Sequence, residues 1–563
     1  MKRRVKWIKQ KKNGKVYRHA WIGYSYRNKN GTPDFCREIS LRKLPVEVIE
    51  QIDYALRSGK ELKEVMVSDV KFLDSYEIGG YWSCYCLMEE LGLLEALCML
   101  EDKHRKAIES MIMDRVVHMN AHSKLGLYEY IDESNIERVI DPEKKLKIEL
   151  NDYYIALEKL YENQRFIEQF LYRRNGNKSQ LYFYDITSSY FEGEHCPLAE
   201  YGYNRDGKKG KKQIVIGLVT DERGQPVSIE VFRGNTSDQM TVLECIDKLR
   251  EEFGIEEMIF VGDRGMLTKA RRKDLNECEY ERVKHISALP RKEFMDFLED
   301  QNHPLQPGLF DRHKLVEVEF DNIRYILSFN PEKEAEDRRT RLALLKKTEE
   351  KLNMISRNVN KGRWKNEDVI AKKIHTWINH WNMAKFFDYE YGYAHFSFSI
   401  KEDKIKQYES IDGFYVIVTD VLSEKLSTQQ VREKYKSLSK VKTAFRTLKT
   451  TEIFMRPIRH WNPVRVRGHV FMCTLAYLVI WKARQVFSEF IIHSPVEDSS
   501  HQNDIHSLRL LWENLNKTVK IAKIQIANSL NEQLKPLDQK TIQLLKAANA
   551  SFNVQRKRQL KIM

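Results

Sequence analysis

Tyr182-Phe183-Tyr184-Asp185-Ile186-Thr187 and Ile259-Phe260-Val261-Gly262-Asp263-Arg264-Gly265 decide how this chain folds. Each sets one aspartate at the end of an apolar run of strand length, too short for an ordinary helix. If the two strands are neighbours in one sheet, both carboxylates project at the same sheet edge. Carboxylates converging from separate elements are what divalent ions need to activate a nucleophile on a phosphodiester and to stabilise the leaving oxygen. A strand-end or turn aspartate is common on its own. Two such motifs in a basic chain shift the balance towards a metal site.

The surrounding sequence reads as α/β. Residues 181–187, 213–220 and 227–232 have strand patterns, and Asp221-Glu222-Arg223-Gly224-Gln225-Pro226 forms a hairpin turn between the last two. A helical stretch at 241–253, an apolar strand at 258–261, a helix near 268–276 and a strand near 283–289 follow. Three antiparallel strands and then alternating helices and strands is the order expected of an RNase H-like catalytic core, a mixed sheet with flanking helices. That core is expected over 179–290 and again over 410–490. The second part holds the strand at 412–420 and a helix at 428–450 striped by Val431, Tyr435, Leu438, Val441, Phe445 and Leu448, then an apolar helix at 464–487.

Residues 291–409 read as a strand-rich insertion with a highly charged helix at 332–357. Its Trp364, Trp377 and Trp381 suit packing or, less commonly, stacking on an unpaired base. Upstream, Leu87, Leu91, Leu94 and Leu97 open a helical domain over 76–178, preceded at 1–75 by a basic N-terminal DNA-binding module, with a basic cap on the next domain as the alternative. A helical, basic tail is expected at 491–563.

A chain of 563 residues predicts roughly three to four packing units. With 42% apolar and 11% aromatic residues it can bury enough surface to offset chain entropy, which excludes a disordered protein. The formal charge of +14 favours a polyanionic partner, because clustered Lys and Arg release condensed counterions from nucleic acid. One cluster is Lys2, Arg3, Arg4, Lys6, Lys9, Lys11, Lys12, Lys15 and Arg18, without an acid among them; another is Arg456, Arg459, Arg465 and Arg467. The eight cysteines include no CxxC pair and read as reduced thiols rather than a zinc site. No apolar h-region follows the basic start, and the longest apolar run, 470–481, is too short to span a bilayer. A cytoplasmic protein without a membrane partner is expected.

Between the two aspartates lies Tyr201-Gly202-Tyr203-Asn204-Arg205-Asp206-Gly207, followed by Lys208, Lys209, Lys211 and Lys212. Such a loop suits DNA phosphates through Arg205 and the four lysines; a solvated surface hairpin is the equal alternative. The segments YFYDITSSYFEG (182–193), GYNRDGKKGKKQIVIGLVTDERGQPVSIEVFRGNTSD (202–238), FVGDRGML (260–267), DGFYVIVTD (412–420) and YKSLSKVKTAFRTLKT (435–450) together resemble the DDE transposases of bacterial insertion sequences, the IS-four family. The resemblance extends over about residues 1–487. It implies that Asp185 and Asp263 are the first and second metal ligands of a two-ion Mg2+ or Mn2+ site. It also implies double-stranded DNA as partner, with the terminal inverted repeats of the chain's own element held by a homodimer on paired ends, at the nucleoid of a bacterium.

In that family the third acid lies on a helix reading Tyr, two residues, Arg, three residues, Glu, six residues, Lys. Here Tyr435 and Lys449 match the ends, Leu438 replaces the Arg, and Lys442 replaces the Glu. By the same resemblance Tyr435, Arg446 and Lys449 face DNA. On a continuous helix Glu433 is about 13 Å from Lys442 and Glu452 about 15 Å, both out of phase with it, so neither replaces the missing acid. A cation about 4 Å from a divalent ion is repelled by about 8 kcal/mol gross at an effective dielectric near 20, where a carboxylate would be attracted similarly. The expectation is a transposase whose phosphodiester cleavage and strand transfer are impaired; the alternative is a catalytically inactive, transposase-derived DNA-binding protein or regulator.

Overall fold

The computed structural model describes the chain except residues 1–2, 13–14, 29, 45, 59–69, 119, 133, 143–146, 176–178, 194, 209, 276–279, 300–303, 305–314, 492–499, 527–528 and 551–563. Lys2, Lys209 and Cys278 lie outside the described residues. In chain order the strands are β1 (Arg4–Lys12), β2 (Lys15–Arg27), β3 (Pro33–Ser40), β4 (Val70–Glu77), β5 (Leu181–Tyr190), β6 (Gln213–Asp221), β7 (Pro226–Arg233) and β8 (Met258–Gly262). They continue as β9 (Val283–Ala288), β10 (Val316–Phe320), β11 (Ile323–Phe329), β12 (Phe387–Gly392), β13 (His395–Ile400), β14 (Phe414–Thr419), β15 (Lys520–Ile526) and β16 (Ser529–Leu534). The chain divides into two units, one of Met1–Lys178, Ile186–Thr236 and Lys440–Met563, the other of Ser179–Asp185 and Ser237–Ser439.

The second unit is built on a mixed sheet. Its strands run in the order β10-β11-β14-β9-β8 and end on the first half of β5. β5, β8 and β9 are parallel, whereas β14 is antiparallel to β9 and to β11, and β11 to β10. Apolar runs such as Leu181 to Tyr184 are buried on both faces, as parallel strands with covered faces require. A satellite core joins the helices Pro331–Asn360 and Glu367–His380 to the β12-β13 ribbon through Leu352, Ile355, Ile370, Ile374 and Phe387. Trp364, Trp377 and Trp381 pack against that core. Nη1 of Arg341 on the long helix donates to both carboxylate oxygens of buried Asp412 (2.7 and 2.5 Å), which also accepts from Arg291 at 2.6 Å.

The first unit holds the second half of β5 with its neighbours β6 and β7, the β1-β2-β3 sheet with the helix Val46–Ser58, and a bundle around the helix Pro463–Val486. That helix is long and apolar enough to cross a membrane, yet 83% of its apolar window is buried inside the protein, as befits a core helix. It packs on the helices Asp102–Val117 and Leu150–Glu162. The stretch expected to be a helical tail also contributes β15 and β16, and β15 pairs antiparallel with β4. The β-branched Ile521, Ile524 and Ile526 suit a strand there, and the edge they pair with is far away in sequence.

The single helix expected over 428–450 is instead a helix Thr428–Lys436, a turn at 437–438, a helix Ser439–Arg446 and a π-helical turn Thr447–Thr451. At the break the Leu438 amide donates to Tyr435 O (3.1 Å), three residues back, and the Ser437 hydroxyl donates to Glu433 O (3.0 Å). Both contacts tighten the turn and compete with the regular ladder.

Gly468 makes the closest approach in the helix bundle. A Cβ there would stand 2.0 Å from the Leu157 carbonyl oxygen, so the two helix backbones pack without an intervening side chain. Gly468→Ala is expected to cost about 1–3 kcal/mol by overpacking, despite alanine's better helix propensity. Urea unfolding followed by circular dichroism checks this; an unchanged or raised midpoint would contradict it.

Candidate functional site

Parallel pairing of β5 with β8 sets Leu181 beside Ile259 and Tyr184 beside Gly262. Asp185 is the next residue of β5, and Asp263 is the first residue past the end of β8. The two aspartates therefore each follow the last register pair of two neighbouring parallel strands, whose backbones lie about 4.8 Å apart. Both residues are only partly buried, so the edge is open to solvent. Asp263 is held by the turn that follows it. Its carbonyl accepts from the Met266 (3.0 Å) and Leu267 (3.1 Å) amides, and its Oδ1 accepts from the Arg264 amide at 2.7 Å.

Tyr435 reports the electrostatic field at this edge. It is half-buried on the helix Thr428–Lys436, and its phenol is held well above the usual range, first by burial and then by the negative charge of Asp263, with Asp185 adding to it and Arg264 opposing. The hydroxyl therefore stays protonated at physiological pH and can donate a hydrogen bond. The start of its helix is fixed by Arg324 on β11. That guanidinium grips Glu317 of β10 at 2.6 and 2.8 Å and donates to the Val421 (2.7 Å) and Leu426 (2.9 Å) carbonyls, while Thr428 donates to the same Glu317 at 2.6 Å. Hydrogen bonding from Arg324 holds the Glu317 carboxyl below its usual range despite partial burial.

Two further carboxylates lie on other elements of this unit. Asp238, just before the helix Met240–Glu251, has its Oδ2 3.9 Å from where a Cβ on Gly265 would stand, against the turn that follows Asp263. It is the last residue of the 202–238 segment that carries the resemblance, and its position just ahead of a helix was the available signal. Asp420 ends β14, but register places it opposite His285, level with Phe260, roughly 10 Å along the strands from the aspartate edge. There it accepts from the His285 amide at 2.7 Å and lies 3.0 Å from the imidazole. Glu433 is exposed and accepts from Gln429 at 2.8 Å.

The remaining expected site residues belong to the other unit. Lys442 and Arg446 are exposed one turn apart on the helix Ser439–Arg446 and share a face. Lys449 does not present its charge to solvent: it is buried, 2.9 Å from Asp206, which also holds Arg456 at 2.7 Å and accepts from the Tyr190 amide at 3.1 Å. Burial draws the Lys449 ammonium below its ordinary value while Asp206 opposes the shift. Glu452 is likewise buried, paired with Arg484 at 2.8 Å. On the loop after β5, the Arg205 guanidinium lies 5.4 Å from the ring of Tyr203, itself 80% exposed, and Lys208 lies 5.8 Å from the Tyr190 ring. Lys211 pairs with Glu192 at 2.8 Å, and Lys212 is partly buried. Exposed aromatic and cationic groups interleave along this loop, a surface suited to nucleic acid.

The family model of the transposase DDE domain matches residues 176–479, more than half of the chain. The chain belongs to the transposase DDE domain family. The matched span includes both aspartates, Tyr435 and Lys442. A solved structure of a piggyBac transposase synaptic complex with hairpin DNA is similar at 10% identity and a TM-score of 0.34, over 82% of this chain and 77% of that one. No curated protein matches the sequence. The mixed sheet with flanking helices is consistent with a transposase catalytic domain, and the DDE transposase family generally uses divalent metal ions.

Replacing Arg324 by methionine leaves Glu317 without its cation and two carbonyls without a donor. A loss of about 3 kcal/mol is expected. Denaturant titration followed by tryptophan fluorescence checks it, and a loss below about 1 kcal/mol, the scale of an exposed ion pair, would contradict it.

Proposed function

We propose that this chain is the DNA transposase of a bacterial insertion sequence of the IS-four type, acting in the cytoplasm as a dimer on the paired inverted repeats of its own element. The observation that carries this reading is that Asp185 and Asp263 each come one residue after the last paired residues of parallel β5 and β8, in a chain of the DDE transposase family. An RNase H-like core is supported by the arrangement around β5: β6 and β7 beside its second half, parallel β8 and β9 beyond its first half. The helices and ribbon between β11 and β14 support the insertion.

The donor set suits a hard divalent cation, because the edge offers carboxylate oxygens from two elements and is open enough for such an ion to keep several waters. Asp185 and Asp263 would hold Mg2+ or Mn2+. When bound, such ions supply Lewis-acid stabilisation of charge on phosphodiester oxygens. Tyr435, kept protonated beside the two aspartates, is placed to donate to a phosphate oxygen of the DNA. Arg205, Lys208, Lys211 and Lys212 are the loop residues proposed to meet the backbone.

By resemblance Lys442 stands at the third acidic position. A lysine there removes one carboxylate from the donor set and adds a charge that opposes cation binding. Of the two glutamates nearest in sequence, Glu452 is buried against Arg484 and Glu433 is exposed and bonded to Gln429. The proposed state of this chain is therefore an end-binding protein with weak or no cleavage. The alternative of a DNA-binding regulator descended from a transposase shares that state and differs in whether the site can be restored.

The deciding assay is cleavage of DNA carrying the element's ends in Mg2+ or Mn2+, comparing this chain with Lys442→Glu and with the double variant Lys442→Glu, Asp263→Asn. Lys442→Glu is expected to raise the rate at least about a hundredfold, the scale of one correctly placed charged group, and the double variant to lose that gain. Full cleavage by the unaltered chain would refute impairment by Lys442. No cleavage by Lys442→Glu with intact end binding would favour the regulator.

A further inference from the structure

Within the first unit a cavity of about 670 Å³ opens between residues 115–125, Tyr154 and residues 454–469. Arg115, Lys124, Arg456, Arg459 and Arg465 line it, and no aspartate or glutamate does. His122, His460 and His469 complete the polar wall. The volume is that of a small-molecule site rather than a surface groove.

The cations are built in rather than scattered on the rim. Lys124 is buried, and its ammonium donates to Nδ1 of His469 at 2.9 Å; the other nitrogen of that ring faces the Met455 carbonyl at 2.9 Å and donates to it. Arg115 is buried as well, and its Nη1 donates to the Ile453 (2.5 Å) and Phe454 (3.2 Å) carbonyls, neutral partners that leave its charge in place. Two counter-ions stand outside the lining: Glu158 at 2.7 Å from Arg465 and Asp206 at 2.7 Å from Arg456. Asp114 beneath the wall accepts from Nδ1 of His122 at 2.6 Å and of His118 at 2.8 Å, which turns His122 towards the cavity.

The wall shows an excess of positive potential. Burial first, and then repulsion from Arg115, draw the Lys124 ammonium down to about 7. Burial and the charges of Lys124, Arg465 and Arg115 draw His460 down to about 3. Groups that suppress one another's charge in this way are relieved by an anion. Trp461, 67% exposed, and Tyr154 add flat aromatic faces at the same cavity.

We infer that this cavity binds a phosphate monoester, the terminal phosphate of a DNA strand end being the source that the geometry favours. A duplex backbone offers diesters with one charge each, whereas a terminal phosphate brings the second charge of a monoester to the wall that holds Lys124 and Arg115, with Trp461 available to stack on its nucleoside. The choice of a strand end over a free nucleotide rests on the transposase reading; the phosphate site does not.

The test is calorimetric titration of the full chain, at one fixed salt concentration, with inorganic phosphate, a 5′-phosphorylated single-stranded oligonucleotide and the same oligonucleotide with a 5′-hydroxyl. The phosphorylated strand is expected to bind about tenfold more tightly than the hydroxyl form, the size of one charge-assisted hydrogen bond, with inorganic phosphate competing. Arg459→Gln, an exposed position, and Lys124→Met are each expected to remove most of that difference, circular dichroism showing whether each variant is folded. Phosphate binding sensitive to Arg459→Gln but without discrimination between the oligonucleotides supports the phosphate site and transfers its ligand to a free nucleotide. Equal binding of both oligonucleotides with no phosphate binding overturns the inference. Because the Lys442→Glu cleavage assay does not depend on this cavity, that outcome would leave the transposase reading standing.

Discussion

The parallel register of β5 and β8 is the constraint on which the candidate site depends. Side chains alternate along a strand, so a slip of one residue would send Asp185 and Asp263 to opposite faces of the sheet. Burial opposes a slip: Tyr182, Phe183, Tyr184, Phe260 and Val261 are all almost fully enclosed, and a slip that drew Asp185 or Asp263 inward would bury a carboxylate among them. The carboxylates come one step after the last buried pair, where the chain reaches solvent. Their mutual repulsion is tolerated because the site is at an edge and not in the core.

Charged groups within the two units are used in two ways. Some charged groups are spent on architecture: Arg324 with Glu317 at the start of the Tyr435 helix, Arg341 with Asp412, and Lys449 with Asp206. Others, including Lys442, Arg446 and Lys208, stay on exposed surface. Lys449 changes side between sequence and structure. By resemblance it faces DNA; in the fold its ammonium is buried against Asp206. The motif spacing that aligns Tyr435 with Lys449 thus spans a turn at 437–438 and a π-helical turn after Arg446, so it does not describe one straight helix face.

What could be read from the sequence followed from short-range pattern. The strands at 181–187 and 258–261, the charged helix of the 291–409 region and the two strand-end aspartates each occupy one contiguous segment with a clear period. The adjacency of those strands could only be posed as a condition, since strand order is a property of the whole sheet. The break in the 428–450 helix was hidden because its apolar stripe runs through Leu438 without losing phase. Contacts far apart in sequence were also hidden: β15 on β4, Asp206 with Lys449, and Lys124 with His469, whose separation of 345 residues no local pattern encodes.

The central proposal, that Asp185 and Asp263 jointly hold a divalent ion, is tested most directly without relying on turnover. Fe2+ loaded in place of Mg2+, with ascorbate and peroxide, generates hydroxyl radicals that cut the polypeptide next to the bound ion. The account predicts cuts close to residues 185 and 263, suppressed by excess Mg2+ and lost in Asp263→Asn. Cuts confined to other segments, or cuts at these two positions that persist unchanged in Asp263→Asn, would contradict it.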